Sequence, residues 1–252
     1  MRIAAFFLLA GLVTLPAVAQ TKIPRAADGN PDLSGVWWRG NDVGGKPIPG
    51  AQPFAGPPGP TFASLYNDAA KAKAAKLVDK DDPTLQCRPT AFGTLNVRMF
   101  DVGAVAQIVQ SPKFITMLQE TYHGYILIPT DGRPHRDNIP PSYRGDSVGK
   151  WDGDTFVVDV NNFTDDTWML AEGRVSHHSD ALHIVERYRL VDANTLEIQA
   201  HVEDPKVLTK AWDVPAQLLL RAPFDQIMDL ICSGVETQEL MDVAAEQNAA
   251  KK

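Results

Sequence analysis

The chain has 252 residues, a formal net charge of −7 at neutral pH and two cysteines. An excess of acidic residues argues against nucleic acid and anionic lipid as partners, because both bind basic protein surfaces. The length is sufficient for one domain with a sizeable hydrophobic core.

Residues 1–19 are predicted to be a secretory signal peptide. They contain Arg2, an apolar run over residues 3–15, and Ala17-Val18-Ala19 immediately before Gln20. The apolar run is too short to span a membrane, so we expect cleavage after Ala19 and no membrane insertion. The mature protein is therefore expected to be periplasmic or secreted.

Residues 20–103 are predicted to form an N-terminal arm, a first strand and a helix. The strand begins at Gly35-Val36-Trp37, which resembles the Gly-x-Trp signature of lipocalins and related calycin barrels, where the tryptophan closes one end of the barrel. Apolar residues recur at helical spacing over residues 62–80, which predicts one helix. Asp81-Asp82-Pro83 is expected to end it.

From residue 104 the sequence changes to the alternating pattern of antiparallel strands. The predicted strands are 104–110, 114–121, 122–128, 146–151, 154–161, 180–191, 195–203 and 210–221. Together with the Gly35 strand they predict an all-β fold, an antiparallel meander closed into a lipocalin-like barrel whose core spans residues 104–232. A short helix or tail over residues 233–252 is expected to follow. A barrel of about eight strands can hold one small ligand.

The two cysteines are separated by the whole predicted β-region. In an oxidising compartment, Cys87 and Cys232 are expected to form one disulfide that joins the segments before and after that region. A metal pair is the weaker alternative, because neither cysteine has a histidine or second cysteine at ligand spacing.

The predicted hairpin over residues 180–203 contains one residue that breaks its alternation. The inward face of the first run is Leu182, Ile184, Glu186, Tyr188 and Leu190. A charged and unpaired Glu186 would cost several kcal/mol there. It is therefore interpreted either as a structural ion pair or water-exposed strand end, or as a general acid or base inside a barrel cavity.

The polar connection over residues 131–146 is the richest candidate binding segment. It holds Arg133, His135, Arg136, Tyr143 and Asp146. Arginines with a tyrosine beside a barrel mouth suit binding of a carboxylate or phenolate. Alternatively, Arg133 and Arg136 pair with Asp131 and Asp137 and merely fix the loop.

Two other motifs suggest metal ions but have simpler interpretations. Asp152-Gly153-Asp154 lacks the further ligands of a calcium loop and predicts a hairpin turn. In His177-His178-Ser179-Asp180 the two histidines are adjacent and no third ligand is evident, so the segment is interpreted as a solvated loop. No motif of a covalent nucleophile, phosphate-binding loop or redox cofactor is recognised, so no cofactor and no metal are expected.

Several motifs of the middle of the chain occur together. They read DGRPH from Asp131, GDSVGKWDGDTFVVD from Gly145 and LHIVERY from Leu182. This combination resembles a large, mostly uncharacterised family of secreted bacterial β-rich proteins over about residues 32–212. Members usually carry Cys-His-Glu-Gly-Asn near the C-terminus. This chain has Cys232-Ser-Gly-Val at the matching place, so roles of that histidine or glutamate are not carried over.

Three functional hypotheses follow. The first is a cofactor-independent lyase or isomerase acting on an apolar, aromatic small molecule, with Glu186 moving a proton and Tyr188 polarising an oxygen. His135 or Asp146 would be its second acid–base group. The ligand-binding residues would be Arg133, Arg136, Tyr143 and Trp37. The second hypothesis is a non-catalytic periplasmic lipocalin-like carrier, and the third is a structural protein with a solidly packed barrel. An empty cavity inside the barrel would favour the first two.

Overall fold

The computed structural model describes residues 22–40, 59–103, 105–121, 124–170, 175–230 and 232. The predicted signal peptide and the predicted C-terminal helix or tail lie outside these residues, as do Ala104 and Tyr122, the first residues of two predicted strands. In the described part of the chain, no helix combines the length and the apolar character needed to cross a membrane.

Within the described residues, nine strands form one antiparallel sheet that curls into a nearly closed barrel. They are β1 (Gly35–Trp38), β2 (Val105–Gln110), β3 (Phe114–Gln119), β4 (Tyr125–Pro129), β5 (Asp146–Asp152), β6 (Thr155–Asn161), β7 (His183–Asp192), β8 (Thr195–Glu203) and β9 (Trp212–Arg221). The order in the sheet is β4-β3-β2-β1-β9-β8-β7-β6-β5. The predicted all-β meander is thus confirmed, with the Gly-x-Trp strand joining β2 to β9.

The hairpin of β7 and β8 has the predicted register. Glu186 pairs with Ala200, and Tyr188 pairs with Ile198. Along both strands the even-numbered residues are buried, except Asp192 at the turn, and the odd-numbered ones lie nearer solvent. This alternation places the apolar face of the hairpin inside the barrel, because successive side chains of a strand point to opposite faces.

The interior of the barrel is filled by side chains. Fully buried residues from six strands meet there, namely Trp37, Met117, Ile128, Phe156, Val158, Ile184, Tyr188 and Leu196. Trp37 donates from its indole nitrogen to the Leu33 carbonyl at 2.9 Å, and the Arg221 guanidinium lies 4.5 Å from its ring centroid. Close packing of this kind stabilises the fold and gives these positions a structural role.

The barrel has a seam where β4 and β5, the two ends of the sheet order, face each other. Gly149 of β5 lies at this seam, and a Cβ there would fall 2.9 Å from Ile128 of β4 and collide with the Phe156 ring. A glycine therefore allows the two strands to approach. One backbone hydrogen bond, from Gly132 to Gly149 at 2.9 Å, ties the connection after β4 to β5.

The predicted helix over residues 62–80 is shorter and interrupted. A 3-10 turn over Phe62–Leu65 precedes helix α1, Asp68–Ala74. Between them Tyr66 bridges to Leu208, and the Asn67 side chain caps α1 by accepting from the Ala70 amide at 2.9 Å. A capping residue has extended backbone angles, so the helix begins anew at Asp68.

The predicted disulfide is confirmed. Cys87 and Cys232 are bonded with their Cα atoms 5.8 Å apart, across a sequence separation of 145 residues. Cys87 follows a 3-10 turn over Pro83–Gln86, so the bond links the segment before β2 to the segment after β9. A disulfide is compatible with an oxidising, extracellular compartment.

Replacing both cysteines by serine is expected to lower the free energy of unfolding by up to about 5 kcal/mol, because the bond closes a long loop in the unfolded chain. Urea denaturation of the variant and the wild type measures the difference. Thiol titration of the denatured, unreduced wild type should detect no free thiol; two free thiols would contradict the bond.

Candidate functional site

Two clefts lie on the outer side of the barrel, next to the connection between β4 and β5. The first, here called the seam cleft, has a volume of about 580 Å³ and is lined by β4, the connection and the start of β5. The second, here called the strand cleft, has about 650 Å³ and follows the outer faces of β5, β6 and β7. Arg133 borders both.

The seam cleft combines an apolar wall with positive charge. Tyr125 and Leu127 project outward from β4 and are 63% and 49% exposed. The charged side chains of the lining are three arginines, Arg133, Arg136 and Arg144, and one carboxylate, Asp146. Arg133 and Arg144 pair with Asp131 and Asp101, which lie outside the lining, so the cleft itself presents more guanidinium groups than carboxylates. The cleft is therefore suited to an apolar molecule that carries an anionic group.

Three of the four predicted ligand-binding residues come together in this cleft. Arg133, Arg136 and Tyr143 all line it. Trp37, the fourth, lies fully buried in the barrel core. Trp37 packs in the core and does not line the seam cleft, and its predicted role in ligand binding stays a prediction.

The connection between β4 and β5 is also fixed by ion pairs. Arg133 pairs with Asp131 at 2.7 Å, as expected, and this hydrogen-bonded arginine lowers the pKa of Asp131 to about 2. Arg136 pairs with Asp146 at 2.6 Å, so the prediction that it pairs with Asp137 is wrong. Asp146 is the stronger anchor because its side chain is only 4% exposed.

His135 lies between two strands. Its Nδ1 is 3.0 Å from Asp146 of β5, and its Nε2 is 3.0 Å from Asp159 of β6. Burial opposes ionisation of both carboxyls, but hydrogen bonds from Arg136 and His135 lower the pKa of Asp146, and those from His135 and His183 lower that of Asp159. Two of the predicted acid–base residues, His135 and Asp146, are thus in direct contact beside the seam cleft.

Glu186, the inward carboxyl, has an arginine partner. Its Oε1 accepts from the backbone amide of Arg98 at 3.1 Å, and its Oε2 accepts from the Arg98 guanidinium at 3.3 Å. The two side chains are 0% and 1% exposed. This geometry corresponds to the structural ion pair among the alternatives for Glu186; its predicted role as a general base stays a prediction.

Arg98 extends this polar cluster toward the seam. Its guanidinium also donates to the Arg144 carbonyl at 2.8 Å and to Ser147 at 3.2 Å. Arg144 in turn donates to Asp101 at 2.6 Å. Burial raises the pKa of Asp101 although Arg144 opposes the shift. Arg144 and Ser147 line the seam cleft, so the cluster forms part of its floor.

Tyr188 lies beside Glu186 in the core. It is fully buried, and its hydroxyl donates to the Met117 sulfur at 3.8 Å. Burial, and then the adjacent carboxylate of Glu186, raise the pKa of Tyr188. A molecule in the seam cleft would not contact it, because Tyr188 does not belong to the cleft lining.

Sequence reasoning missed Arg98, Asp101 and Tyr125 as members of this region. Arg98 follows a 3-10 turn over Thr94–Asn96 in an irregular segment, where no periodicity indicates an inward side chain. Its partner Glu186 is 88 positions away. The only available signal was the unexplained inward carboxyl, which predicts an arginine but not which one.

The interpretation of His177 and His178 as a solvated loop is wrong. They are 2% and 1% exposed. His178 Nε2 lies 2.9 Å from the Thr167 hydroxyl, and His177 Nε2 lies 3.1 Å from the Ala70 carbonyl. Burial lowers the pKa of both histidines. No group of three or more possible metal ligands converges in the described part of the chain.

The comparisons with known proteins found no match. No family model matches the chain, no curated protein matches it, and no solved structure matches it. The resemblance of its motifs to secreted bacterial β-rich proteins therefore stays a prediction.

Replacing Glu186 by glutamine is expected to lower the free energy of unfolding by about 3–5 kcal/mol, because it leaves the buried Arg98 charge unpaired. Glu197→Gln is the matched control on the neighbouring strand. Its arginine partner, Arg189, is 48% exposed, so the loss there should be at most about 1 kcal/mol. Urea denaturation measures both, and equal losses would contradict the buried pair.

Acid is expected to destabilise the protein through the two buried histidines. Their folded pKa is depressed, so the unfolded chain binds the proton first. Their contribution to stability is complete above about pH 6.5, the unfolded value, and is lost as the pH falls toward the folded value. His178→Asn should therefore show a weaker fall in unfolding free energy between pH 7.5 and 5 than the wild type. An unchanged pH dependence would contradict this role.

Proposed function

We propose that the protein binds a small apolar, aromatic molecule with one carboxylate or phenolate group in the seam cleft. The observation that carries the proposal is the lining itself, three arginines against one aspartate beside exposed Tyr125 and Leu127. The aromatic part of the ligand would lie on the β4 wall, and its anionic oxygen would face the connection.

The dimensions of the cleft agree with a ligand of this class. A volume of about 580 Å³ lies within the range of small-molecule pockets, about 300–1,000 Å³. Because the described interior is packed with side chains, we place the ligand in an outer cleft, the seam cleft, unlike a carrier that encloses its ligand in the barrel. We place this binding outside the cytoplasm, a proposal supported by the disulfide and by the apolar N-terminal sequence.

Arg133 is the arginine best suited to meet the ligand. Its side chain is 47% exposed, and its present partner Asp131 is 56% exposed. Exposed pairs of this kind contribute about 0–1 kcal/mol, so a ligand oxygen can replace Asp131 at small cost. Arg136 instead holds the nearly buried Asp146 and maintains the shape of the connection.

Acid–base catalysis in the same cleft is a second candidate function, favoured by one contact. Asp146 lines the cleft and lies 3.0 Å from His135. Such a dyad could move a proton on a bound molecule without a cofactor. Chromatography of a candidate aromatic ligand after incubation with the protein distinguishes the two functions: a new product indicates turnover, and unchanged ligand indicates binding alone.

The binding proposal predicts that 1-naphthoate binds about tenfold more tightly than neutral 1-naphthalenemethanol, a difference of about 1.4 kcal/mol. Isothermal titration calorimetry measures both. Arg133→Gln should remove most of this preference, because the ligand loses its cation. Tyr143→Ala should weaken the binding of both probes, because it removes aromatic contact area.

Arg25→Gln is the matched control for Arg133→Gln. Arg25 pairs with Asp154 at 2.6 Å and is 41% exposed, much like Arg133 with Asp131, but it does not belong to the cleft lining. The Arg25→Gln variant should bind both probes with the wild-type dissociation constants. Absence of binding of either probe at millimolar concentration, or equal losses in the two arginine variants, would contradict the proposal.

A further inference from the structure

The strand cleft has no part in the proposed function, yet it adjoins the seam cleft. The two clefts share two lining residues, Arg133 and Val148. Arg133 belongs to the connection between β4 and β5, and Val148 belongs to β5 itself. A molecule that lies against Arg133 in the seam cleft can therefore extend past it into the strand cleft.

The floor of the strand cleft consists of two rows of paired residues across β5, β6 and β7. The rows are Lys150–Val157–Arg187 and Val148–Asp159–Val185. Both rows point outward, because side chains of a strand alternate between its two faces. The valines supply an aliphatic surface between Lys150 and Arg187, whose strands lie about 10 Å apart at the usual spacing of neighbouring strands.

Cations outnumber carboxylates around this floor. The charged residues that line the strand cleft are Arg133, Lys150, Arg187, Asp152 and Asp159. Asp159 already lies 3.0 Å from both His135 and His183. Lys150 is exposed, and among the residues that the structure describes it pairs with no carboxylate. The cleft therefore offers at least one ammonium group to an incoming anion.

Arg187 can offer a second cation to the same anion. It pairs with Asp152 at 2.9 Å, and the two side chains are 43% and 64% exposed. Exposed ion pairs contribute little to stability, so a carboxylate of a ligand can replace Asp152, which then returns to water. Lys150 is meanwhile held under the connection, since a Cβ on Gly132 would lie only 3.4 Å from the Lys150 Cβ.

We propose that the strand cleft is a second anion-binding site, so that the ligand is an elongated dianion. Its aromatic carboxylate end lies in the seam cleft, and an aliphatic arm crosses the valine floor to a terminal carboxylate between Lys150 and Arg187. The position of the aromatic end rests on the proposed function. The second site itself rests only on the floor and the charges of the strand cleft.

Two probes that differ only at the end of the arm test the second site. The diacid probe is 2-(5-carboxypentyloxy)-1-naphthoate, and the monoacid probe is 2-hexyloxy-1-naphthoate, whose arm ends in a methyl group. Isothermal titration calorimetry at neutral pH should show that the diacid probe binds about fivefold more tightly. This factor corresponds to the upper end of the range for exposed ion pairs.

Arg187→Gln and Arg189→Gln are a matched pair of variants on β7. Arg189 pairs with Glu197 at 2.8 Å and is 48% exposed, much like Arg187 with Asp152, but of the two arginines only Arg187 lines the strand cleft. The preference for the diacid probe should fall to about twofold in Arg187→Gln and persist in Arg189→Gln. It should disappear when Lys150→Gln is added to Arg187→Gln. No binding of the diacid probe, equal affinities for the two probes, or equal losses in the two arginine variants would overturn the inference.

Methyl NMR spectroscopy locates the arm. The diacid probe should shift the signals of Val157 and Val185, whereas 1-naphthoate should not, and Val109, which is 45% exposed on β2, should respond to neither. Unshifted Val157 and Val185 signals with the diacid probe bound would contradict the second site. If 1-naphthoate shows no preference over its neutral analogue but the diacid preference still depends on Arg187, the proposed function fails and the second site stands. If 1-naphthoate binds as proposed and the terminal carboxylate adds nothing, the second site alone fails.

Discussion

The buried contact between Arg98 and Glu186 is the interaction on which the shape of this barrel depends. A sheet of nine strands that pairs through β1 still leaves β4 and β5 without a common ladder. Arg98 spans this opening from inside, because it bonds to Glu186 on β7 and Ser147 on β5, and its carbonyl accepts from Gln119 on β3 at 2.9 Å. Buried charges are tolerable only when each is paired and hydrogen-bonded, so the cluster also specifies one arrangement of the strands around it.

A polar closure of the seam has a consequence for function. The rest of the interior is filled with aromatic and aliphatic side chains. The polar and charged side chains described above therefore lie at the seam, where β4 and β5 share no hydrogen-bonded ladder. There the connection between β4 and β5 lies over the outer surface and is attached mainly by charges: Arg136 to Asp146, and His135 to Asp146 and Asp159. Contacts between charged groups respond to salt far more than apolar packing does. The structure thus places a segment that is held largely by charges beside the seam cleft.

Much of the fold could be predicted from the sequence because strands with one buried face alternate strictly. The inward position of Glu186 followed from parity alone, and the disulfide from compartment and number of cysteines. What could not be predicted depends on partners far apart in the chain. Arg98 lies in a segment without periodicity, and the burial of His177 and His178 depends on α1 and on the neighbouring Thr167. The helix was predicted too long because Asn67 caps it in a position that apolar spacing does not reveal.

The same connection must both hold its position and offer charge to a ligand, and two arginines divide these tasks according to the exposure of their carboxylate partners. Asp146 is 4% exposed and pairs with Arg136 and His135 at once, so removing either partner would leave a poorly solvated carboxylate. Asp131 is 56% exposed and can return to water when Arg133 turns to another anion. A ligand therefore exchanges with the solvated carboxylate rather than with the buried one. This asymmetry lets the cleft accept an anion without loss of the contacts that shape it.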